Sequence, residues 1–513
     1  MPPQGISARS TPAPLRINYR GRVGPIVASL SCHLTCNGTS DTLTTMADET
    51  MEKIVSLCKR RGFVFPGSEI YGGFAGTYDW GPYGVELRMN VVHEWTRAMQ
   101  MHENMALLDS SIFTAGKVWE ASGHVSGFSD PLVVCGHCHT KLRADHLLEI
   151  VGVTADEKMS EVQINKIFDE HRTKLHCPVC GAQKFGTVSA KSLLATSTLG
   201  MFEEGDDQVY LRGETAQGIF INYKNVLDSG FSSVPFGIAQ VGKAFRNEIS
   251  PRQFLFRKRE FEQMEMQYFV RPSDASSAYE AWRKERFAYY DSIGIKKEKL
   301  RWKQHENLVF YAKDAWDIQY EYPFGWNELE GIHYRGDYDL SQHQKYSGVD
   351  MSYYDEGLKE RYIPHVIETS VGVDRMILMI LCDAYHEDEM NGDKRIVLRL
   401  AKNIAPVKAA VFPLLRNKPE LVEKAREVHR MLKREIRGKV MWDDNGNIGK
   451  RYRRQDEIGT PYCITIDFDT LGDPSTGSGQ GKPELKDTVT VRDRDTGAQE
   501  RVAIADLVAR IAL

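Results

Sequence analysis

The sequence FRNEISPRQFLFRKREF, at residues 245–261, contains the pattern Phe-Arg-x-Glu, then a short polar loop, then Arg-x-x-x-Phe. A second stretch, ETSVGVDR at residues 368–375, supplies another arginine far downstream. Guanidinium groups bind phosphate oxygens in pairs and stay charged at any working pH. Arginines close to glutamates and an aromatic ring therefore suit a site that holds a triphosphate, a nucleobase and a small zwitterion together.

Around these stretches, strand-like segments are dispersed between helical ones, without regular alternation of strand and helix. The pattern predicts strands at 209–211, 236–241, 261–269 and 363–368, and helices at 52–61, 85–101 and 278–290. This arrangement favours an α+β domain in which helices pack on an antiparallel sheet.

After residue 405 the pattern changes. Apolar segments at 407–415, 439–442 and 463–468 predict strands, and residues 419–437 carry apolar side chains at helical spacing. Strands that alternate with helices predict a compact α/β domain with a parallel sheet. We therefore expect a catalytic domain at 46–404 and a C-terminal α/β domain at 405–513.

The composition describes a globular chain. Its 513 residues are too many for one ordinary domain. The net charge of −4, from 66 basic and 70 acidic residues, argues against a wholly basic nucleic-acid binder. A local basic surface that contacts RNA remains open. No apolar run approaches the length of a membrane span, so we expect a soluble protein that does not bind membranes.

The first 45 residues differ from the rest of the chain. They contain arginine, serine and proline but no acidic residue before Asp41. Such a segment resembles an organellar targeting peptide. A disordered tail or an over-extended gene model is the alternative, because MADE at 46–49 resembles a natural start. We expect a cytoplasmic protein, with organellar targeting by residues 1–45 left open.

Four of the nine cysteines form two Cys-x-x-Cys pairs, Cys135 with Cys138 and Cys177 with Cys180. In a large chain without a clear secretory signal, such pairs favour a metal over disulfides. Two turns of this kind, with glycine within or after them, predict one tetrahedral zinc site. Reduced structural thiols or a redox pair are the alternatives. We expect the pairs to lie in a zinc-binding insertion at 130–187.

Several motifs resemble those of known enzymes. Residues 245–261 resemble motif 2 of the class II aminoacyl-tRNA synthetases, and GVDR at 372–375 resembles motif 3. RGETAQG at 212–218, IETS at 367–370 and GKRYRRQDEIGTP at 449–461 resemble the homodimeric glycyl-tRNA synthetases. The resemblance extends from residue 52 to the C-terminus. Gly213 and Thr369 stand where that family usually has proline.

The resemblance implies an ATP site with Arg246 and Arg375 as catalytic residues. Arg246 is expected to hold the α-phosphate and Glu328 to provide a carboxylate for Mg²⁺. The full predicted ATP site comprises Arg246, Asn247, Glu248, Phe256, Arg257, Lys258, Arg259, Glu260, Phe261, Glu328, Leu329, Gly372, Val373, Asp374 and Arg375. For residues 252–265 alone, a solvated pair of charged strands is the alternative.

The resemblance also implies a pocket for glycine. Glu214, Glu265 and Glu368 are expected to converge on its ammonium group, with Ser370 hydrogen-bonding nearby. The full predicted set is Arg143, Glu214, Phe261, Glu262, Gln263, Met264, Glu265, Glu368, Thr369, Ser370, Val371 and Gly372.

The expected activity is ATP-dependent attachment of glycine to tRNA(Gly) through a glycyl-adenylate. Lys450, Arg451, Arg453 and Arg454 are expected to contact the tRNA from a C-terminal anticodon-binding domain; a solvated helix face is the alternative. The helix at 85–101 would correspond to motif 1 and build a homodimer. A synthetase for another small amino acid and a catalytically inactive, RNA-binding relative are the alternative functions.

Overall fold

The computed structural model describes residues 40–153, 159–198, 208–230, 233–306, 308, 311–390, 392–472 and 482–512. Residues 46–513 form one compact unit. The predicted leader lies outside the described residues except at 40–45, where the first helix begins. Within the described part, no helix is long and apolar enough to cross a membrane.

The described chain folds into mixed helices and strands. The α-helices are α1 Ser40–Arg61, α2 Pro82–Gln100, α3 Gly116–Ala121, α4 His124–Gly127, α5 Ala144–Ile150, α6 Glu161–His171, α7 Ala216–Asp228, α8 Ala275–Ser292, α9 Tyr338–Ser347, α10 Val373–Ala384, α11 Pro419–Glu435, α12 Ile448–Ile458, α13 Phe468–Leu471 and α14 Leu507–Ala512.

The strands in chain order are β1 Val64–Pro66, β2 Tyr78–Trp80, β3 Met105–Leu108, β4 Phe113–Ala115, β5 Ser129–Val134, β6 Lys141–Arg143, β7 Ser189–Ser192, β8 Ala195–Thr198, β9 Gln208–Leu211, β10 Phe236–Phe245, β11 Glu260–Val270, β12 Leu300–Gln304, β13 Asp314–Tyr322, β14 Gly325–Gly336, β15 Tyr353–Asp355, β16 Glu360–Tyr362, β17 His365–Gly372, β18 Tyr385–Met390, β19 Asp393–Leu398, β20 Ala409–Pro413, β21 Val440–Trp442, β22 Tyr462–Ile466, β23 Thr488–Asp493 and β24 Gln499–Ala503.

A seven-stranded sheet forms the centre of the catalytic part. Its order is β12-β13-β14-β17-β11-β10-β3. All neighbouring strands are antiparallel except β3, which pairs parallel to β10 at one edge. The predicted α+β architecture with an antiparallel sheet is therefore confirmed. The strands β12, β13 and β14 were not among the predicted ones.

The two faces of this sheet have different chemistry because successive strand residues point to opposite sides. On one face, Met264 and Met266 of β11 join a large apolar core that includes α2, α8 and the almost wholly buried α10. On the other face, Glu265 stands opposite Ser370, and Gln267 stands opposite Glu368. This second face presents a row of polar groups and forms the floor of the site described below.

The predicted insertion has a small sheet and core of its own. Its strands lie in the order β6-β5-β7, and α5 and α6 pack beside them. Ser160 is the N-cap residue of helix α6, and its side chain accepts a hydrogen bond from the backbone N–H of Gln163 in a capping box. Val133, Leu148 and Phe168 are fully buried in this core.

The C-terminal part contains a five-stranded sheet in the order β21-β20-β22-β23-β24. The first three strands are parallel, as predicted, whereas β23 and β24 add an antiparallel edge that the sequence pattern did not indicate. Helix α11 buries Leu421, Ala425, Val428 and Leu432, which recur at helical spacing on one face.

Candidate active site

A deep cleft lies over the polar face of the central sheet. A cavity of about 440 Å³ is continuous with a smaller hollow, because both are lined by Arg246, Glu248, Arg257, Glu328 and Arg375. Residues from the motif 2 hairpin, the sheet and the insertion therefore surround one space.

Arg246 lies at the centre of this cleft. Its guanidinium stands between two aromatic rings, 5.0 Å from the centroid of Phe128 and 5.2 Å from that of Phe261. Its Nε donates to the carbonyl oxygen of Gly213, at 3.0 Å. Stacking and this hydrogen bond fix the plane of the guanidinium, so its remaining N–H groups are oriented before a ligand arrives.

Arg375 lies in the first turn of the motif 3 helix α10, on the other side of the cleft. Its Nη1 lies 3.0 Å from Glu328 Oε1, and its guanidinium stacks 4.4 Å from the centroid of Phe256. The positive charge of Arg375 is the main reason why the pKa of Glu328 is lowered. Glu328 is therefore an ionised carboxylate close to the arginines, as a Mg²⁺ ligand would need to be.

A β-bulge explains how Glu328 reaches this face. The pairing of β13 with β14 shifts between Ile318 and Gln319, so that β14 has one extra residue. Without the shift, Glu328 and Glu330 would point the same way. Instead Glu330 is fully buried against Arg286 of α8, whereas Glu328 lines the cleft.

Three glutamates come together at the floor of the cleft, as predicted from the motifs. Glu214 lines the cavity, and its Oε2 lies 3.3 Å from His124 Nε2. Glu265 and Glu368 lie below it and are only 2% and 4% exposed. Their mutual proximity is evident in their pKa values, since the charges of Glu368 and Glu214 both raise the pKa of Glu265.

The three carboxylates have different charge states. Burial, followed by the charges of Glu368 and Glu214, raises the pKa of Glu265 well above its usual range. Burial also raises the pKa of Glu368, but Arg335 and His333 outweigh it and lower that pKa to about 2. For Glu214, burial also raises the pKa, but His124, Arg335 and Gln217 together outweigh it and lower the pKa. Compared with an ordinary glutamate, the ionised form is therefore favoured at Glu214 and Glu368 and disfavoured at Glu265.

The groups that hold this floor in place were not found from the sequence. Arg335 donates to Glu368 Oε2 at 2.7 Å and forms two bonds to Asp339, at 2.8 and 2.9 Å. His333 Nδ1 lies 2.6 Å from Glu368 Oε1. Gln267 donates from its amide to both Glu368 and Glu265. Their position on the polar face of β11 and β14, opposite or beside the glutamates, is the signal that could have identified them.

Other predicted residues also line the cleft. Ser370 accepts from Gln263 Nε2 at 3.3 Å, and both side chains face the smaller hollow. Gly372 ends β17 there, next to Phe261. Arg143 reaches the larger cavity from the insertion and forms ion pairs with Asp130 at 2.8 Å and with Asp145 at 2.5 Å.

Several predicted glycine-binding side chains point away from the cleft. Glu262 bonds Arg88 of α2, with Nε to Oε2 at 2.6 Å, and Met264 and Val371 belong to the apolar core. Thr369 is fully buried. These positions follow from strand alternation, because each neighbours in sequence a residue that faces the cleft. Only their backbone atoms could contact a substrate.

Some of the predicted ATP residues line the smaller hollow and others brace the motif 2 hairpin, and Lys258 and Asp374 do both. Lys258 donates to Asp374 Oδ1 at 2.6 Å in a buried pair, and Asp374 Oδ2 accepts from the Glu262 backbone N–H. Arg259 bonds the carbonyl oxygens of Ala75 and Glu248. These contacts brace the motif 2 hairpin. Among the other predicted ATP residues, Glu248, Phe256, Arg257 and Leu329 line the hollow, whereas Asn247, Glu260 and Val373 do not.

The four predicted metal ligands lie together. Cys135 Sγ is 3.7 Å from Cys180 Sγ, and Cys138 Sγ is 3.7 Å from Cys177 Sγ. All four sulfur atoms lie within 4.8 Å of one another. A tetrahedron with metal–sulfur bonds of about 2.3 Å has edges of about 3.8 Å, which fits these separations. The thiols are not paired in disulfides.

The predicted tRNA-binding residues on α12 differ in accessibility. Lys450 is exposed and Arg453 is half-buried at the surface. Arg454 forms two bonds to Asp443, at 2.9 and 3.0 Å. Arg451 is 1% exposed, and its guanidinium donates to three backbone carbonyl groups, including that of Pro413. The structure thus places Arg451 in the domain interior, where its side chain cannot reach RNA.

Comparison with known proteins agrees with the geometry. Residues 198–384 match the tRNA synthetase class II core domain (G, H, P, S and T), and residues 408–512 match an anticodon binding domain. Glycine--tRNA ligase of Treponema denticola is 46% identical over 471 residues, which cover 90% of this chain and 96% of the relative. The chain belongs to the glycine--tRNA ligase family.

Further relatives support this assignment. Glycine--tRNA ligase of Chlorobaculum tepidum is 48% identical across 88% of this chain and 97% of its own length. That of Thermobifida fusca is 49% identical across 89% and 96%. The predictions of a class II aminoacyl-tRNA synthetase, of a ligase that joins glycine to tRNA and of a C-terminal anticodon-binding domain are confirmed. The matched ranges lie inside the predicted domains, 46–404 and 405–513.

Proposed function

We propose that the cleft carries out both steps of glycine ligation, with ATP and glycine bound side by side over the polar face of the sheet. The observation that carries the proposal is that arginines and carboxylates surround one cavity. Arg246, Arg257 and Arg375 line it together with Glu214, and the carboxylates of Glu265 and Glu368 lie buried near Glu214 at its floor.

The three carboxylates at the floor of the cavity are suited to the ammonium group of glycine. Without a cation, burial and the neighbouring carboxylates disfavour the ionised form of Glu265, because they raise its pKa. An ammonium ion would favour the ionised form and complete a cage with Glu214. Glycine offers only an ammonium and a carboxylate to bind, so recognition would depend on these charges and on a wall that excludes larger side chains.

The three arginines that line the cavity are suited to the triphosphate of ATP. Arg246 would contact the α-phosphate, and Arg257 and Arg375 the distal phosphates, with Glu328 available to a Mg²⁺ bound to ATP. When bound, Mg²⁺ would neutralise phosphate charge. The glycine carboxylate would then attack the α-phosphate and release pyrophosphate, giving glycyl-adenylate. In the second step, the terminal adenosine hydroxyl of tRNA would attack the carbonyl carbon of the adenylate, forming glycyl-tRNA and releasing AMP and the hydroxyl proton.

This reaction needs positioning more than covalent help from the protein. Arg246 has the best geometry for stabilising charge on the α-phosphate, because its guanidinium plane is fixed by two rings and one hydrogen bond. The proposal is tested by single-turnover mixing of the protein with ATP and labelled glycine. Glycyl-adenylate should form before tRNA is added and should disappear when tRNA(Gly) is added. Glycyl-tRNA formed with no adenylate intermediate would contradict the proposed route.

We propose that Cys135, Cys138, Cys177 and Cys180 hold a structural zinc ion. The sulfur separations fit a tetrahedral site, and thiolates favour Zn²⁺. The site would brace the insertion that carries Arg143 to the cavity wall. Metal analysis of freshly purified protein should find zinc, and Cys135→Ser should lose one zinc per chain. Active protein that contains no zinc would contradict this role.

We propose a homodimer that uses the outer face of α2. Leu87, Val91 and Trp95 bury the inner face, whereas Met89 on the outer face is 57% exposed. Sedimentation velocity should give a dimer for the wild type and a monomer for Met89→Asp. The control, Val162→Asp, replaces an apolar side chain on the insertion that is even more exposed, at 79%, and should remain dimeric.

We propose that the protein acts in the cytoplasm, with organellar targeting by residues 1–45 as the alternative. A fluorescent protein fused after residue 45 and expressed in cells of the source organism should stay in the cytoplasm. Import of that fusion into an organelle would support the alternative.

A further inference from the structure

Two histidines and one aspartate form a cluster in the cavity wall, and the proposed reaction uses only His333 among them, through its contact with Glu368. His305 follows β12, Asp317 lies on β13 and His333 lies on β14. The backbone N–H of His305 donates to the carbonyl oxygen of Ala315 at 3.0 Å, and Ala315 stands opposite His333 in the β13–β14 ladder. Three adjacent strands therefore bring the three side chains to one face of the sheet.

The geometry of the cluster is close to that of a metal site. One candidate ligand atom from each side chain lies within 4.8 Å of the other two. His305 Nε2 is 2.9 Å from Asp317 Oδ1, and the two imidazole rings stand at 85° with centroids 5.9 Å apart. Metal–ligand bonds of about 2.1 Å place tetrahedral ligand atoms about 3.4 Å apart. Small side-chain rotations would reach that arrangement.

His333 is oriented by a bond on its other ring nitrogen. Its Nδ1 lies 2.6 Å from Glu368 Oε1. Because a carboxylate accepts hydrogen bonds, this contact places the proton on Nδ1 and leaves the lone pair on Nε2. Metal-binding histidines commonly donate their second N–H to a carboxylate in this way. The contact with Glu368 is thus a second observation that points to a metal.

The backbone leaves room at the point where the ligand atoms face one another. Gly331 stands opposite Asp317 in the ladder. A Cβ at Gly331 would lie 3.3 Å from His333 Nε2 and 3.7 Å from Asp317 Oδ1. The missing side chain keeps the space between these two atoms open.

We propose that His305, Asp317 and His333 bind one Zn²⁺-class ion with an open coordination position toward the cavity, which all three residues line. Two imidazoles and one carboxylate favour zinc and related transition metals over Mg²⁺. The ligands of the proposed ion are different residues from the four cysteines. A metal on Nε2 would make the His333 Nδ1–H a stronger hydrogen-bond donor to Glu368. The ion would therefore affect glycine binding, a consequence that rests on the proposed function.

Titration of the chelator-treated, full-length protein with Co²⁺ alone tests the site. Thiolate ligands give Co²⁺ a strong charge-transfer absorption that nitrogen and oxygen ligands do not give. We expect one Co²⁺ per chain without this absorption, in addition to any ion bound by the cysteines. Asp317→Asn and His305→Ala should each lose that ion and keep the cysteine signal. Asp314→Asn, on the same strand, should behave as the wild type does.

The proposal is overturned if every Co²⁺ bound by the wild type shows thiolate absorption. It is also overturned if Asp317→Asn and His305→Ala both still bind the Co²⁺ that lacks this absorption. Gly331→Ala provides a second check, because it keeps all three ligands and fills the space between them. This variant should bind the ion at least tenfold more weakly, and an unchanged affinity would contradict the assignment. Since no substrate is present, the outcome does not depend on whether the cleft activates glycine.

Discussion

Replacing Glu265 by glutamine separates a role in glycine binding from a role in stability. The Glu265 carboxylate is almost fully buried and accepts from Thr215 Oγ1 and from Gln267 Nε2 at 3.0 Å. Glutamine has nearly the shape of the protonated carboxyl group, and the Thr215 hydroxyl can turn to accept from the new amide. The substitution therefore changes charge while preserving the packing.

The raised pKa of Glu265 determines the sign of the stability effect. Between the ordinary pKa of a glutamate and this raised pKa, the native state binds more protons than the unfolded state. The free energy of unfolding therefore falls as pH rises through that interval. Glu265→Gln removes this dependence. Above the raised pKa of Glu265, the variant should be at least as stable as the wild type in denaturant unfolding.

The same substitution should weaken glycine binding. A hydrogen bond to a charged group contributes about 1.5–3 kcal/mol, which corresponds to a rise of about 10- to 150-fold in the KM for glycine. ATP–pyrophosphate exchange at varied glycine concentration measures this KM. In the wild type, KM should fall as pH rises, because the ammonium group binds the ionised carboxylate. In the variant this contribution to the pH dependence should disappear.

Glu262→Gln is the matched control, because Glu262 is close in sequence but lies on the opposite face and pairs with Arg88. It should lower the free energy of unfolding by about 1–3 kcal/mol and change the KM for glycine by less than about twofold. The reasoning is refuted if Glu265→Gln keeps the wild-type KM, or if Glu262→Gln has the larger effect on glycine.

Three further variants test other parts of the site. Arg246→Ala should reduce ATP–pyrophosphate exchange by at least about 10²-fold, since it removes a fixed donor at the α-phosphate; exchange at the wild-type rate would falsify that role. Arg335→Met should lower the free energy of unfolding by about 3–5 kcal/mol, because Asp339 and Glu368 lose a buried partner; a loss below about 1 kcal/mol contradicts this. Lys450→Ala with Arg453→Ala should weaken tRNA binding and lower its salt dependence by about two phosphate contacts, and an unchanged salt slope rules out a role of these residues in phosphate binding.

The sequence pattern predicted β11 almost to its ends but gave no strand at β14. Strand β11 carries Met264 and Met266 toward the core, and its extent was nearly correct. Strand β14 buries Glu330 and Arg335, so its pattern of apolar residues is broken. These polar groups are compensated by partners on other elements, which only the folded chain brings together.

Within the site, the motifs located the arginines and the three glutamates but not the groups that orient them. Arg335 and His333 lie outside the conspicuous motifs, and only strand pairing places His333 opposite Glu368. A run of charges also does not indicate burial. Arg451 lies in such a run, yet its guanidinium binds backbone carbonyl groups inside the C-terminal part.

Amino-acid dependence of ATP–pyrophosphate exchange tests the central claim most directly. The wild-type protein is assayed with ATP, labelled pyrophosphate and each amino acid in turn, without tRNA. A cavity lined by arginines, with three carboxylates at its floor, predicts exchange with glycine and none above background with alanine, serine or larger amino acids. Comparable exchange with alanine or serine, or no exchange with glycine, would contradict it.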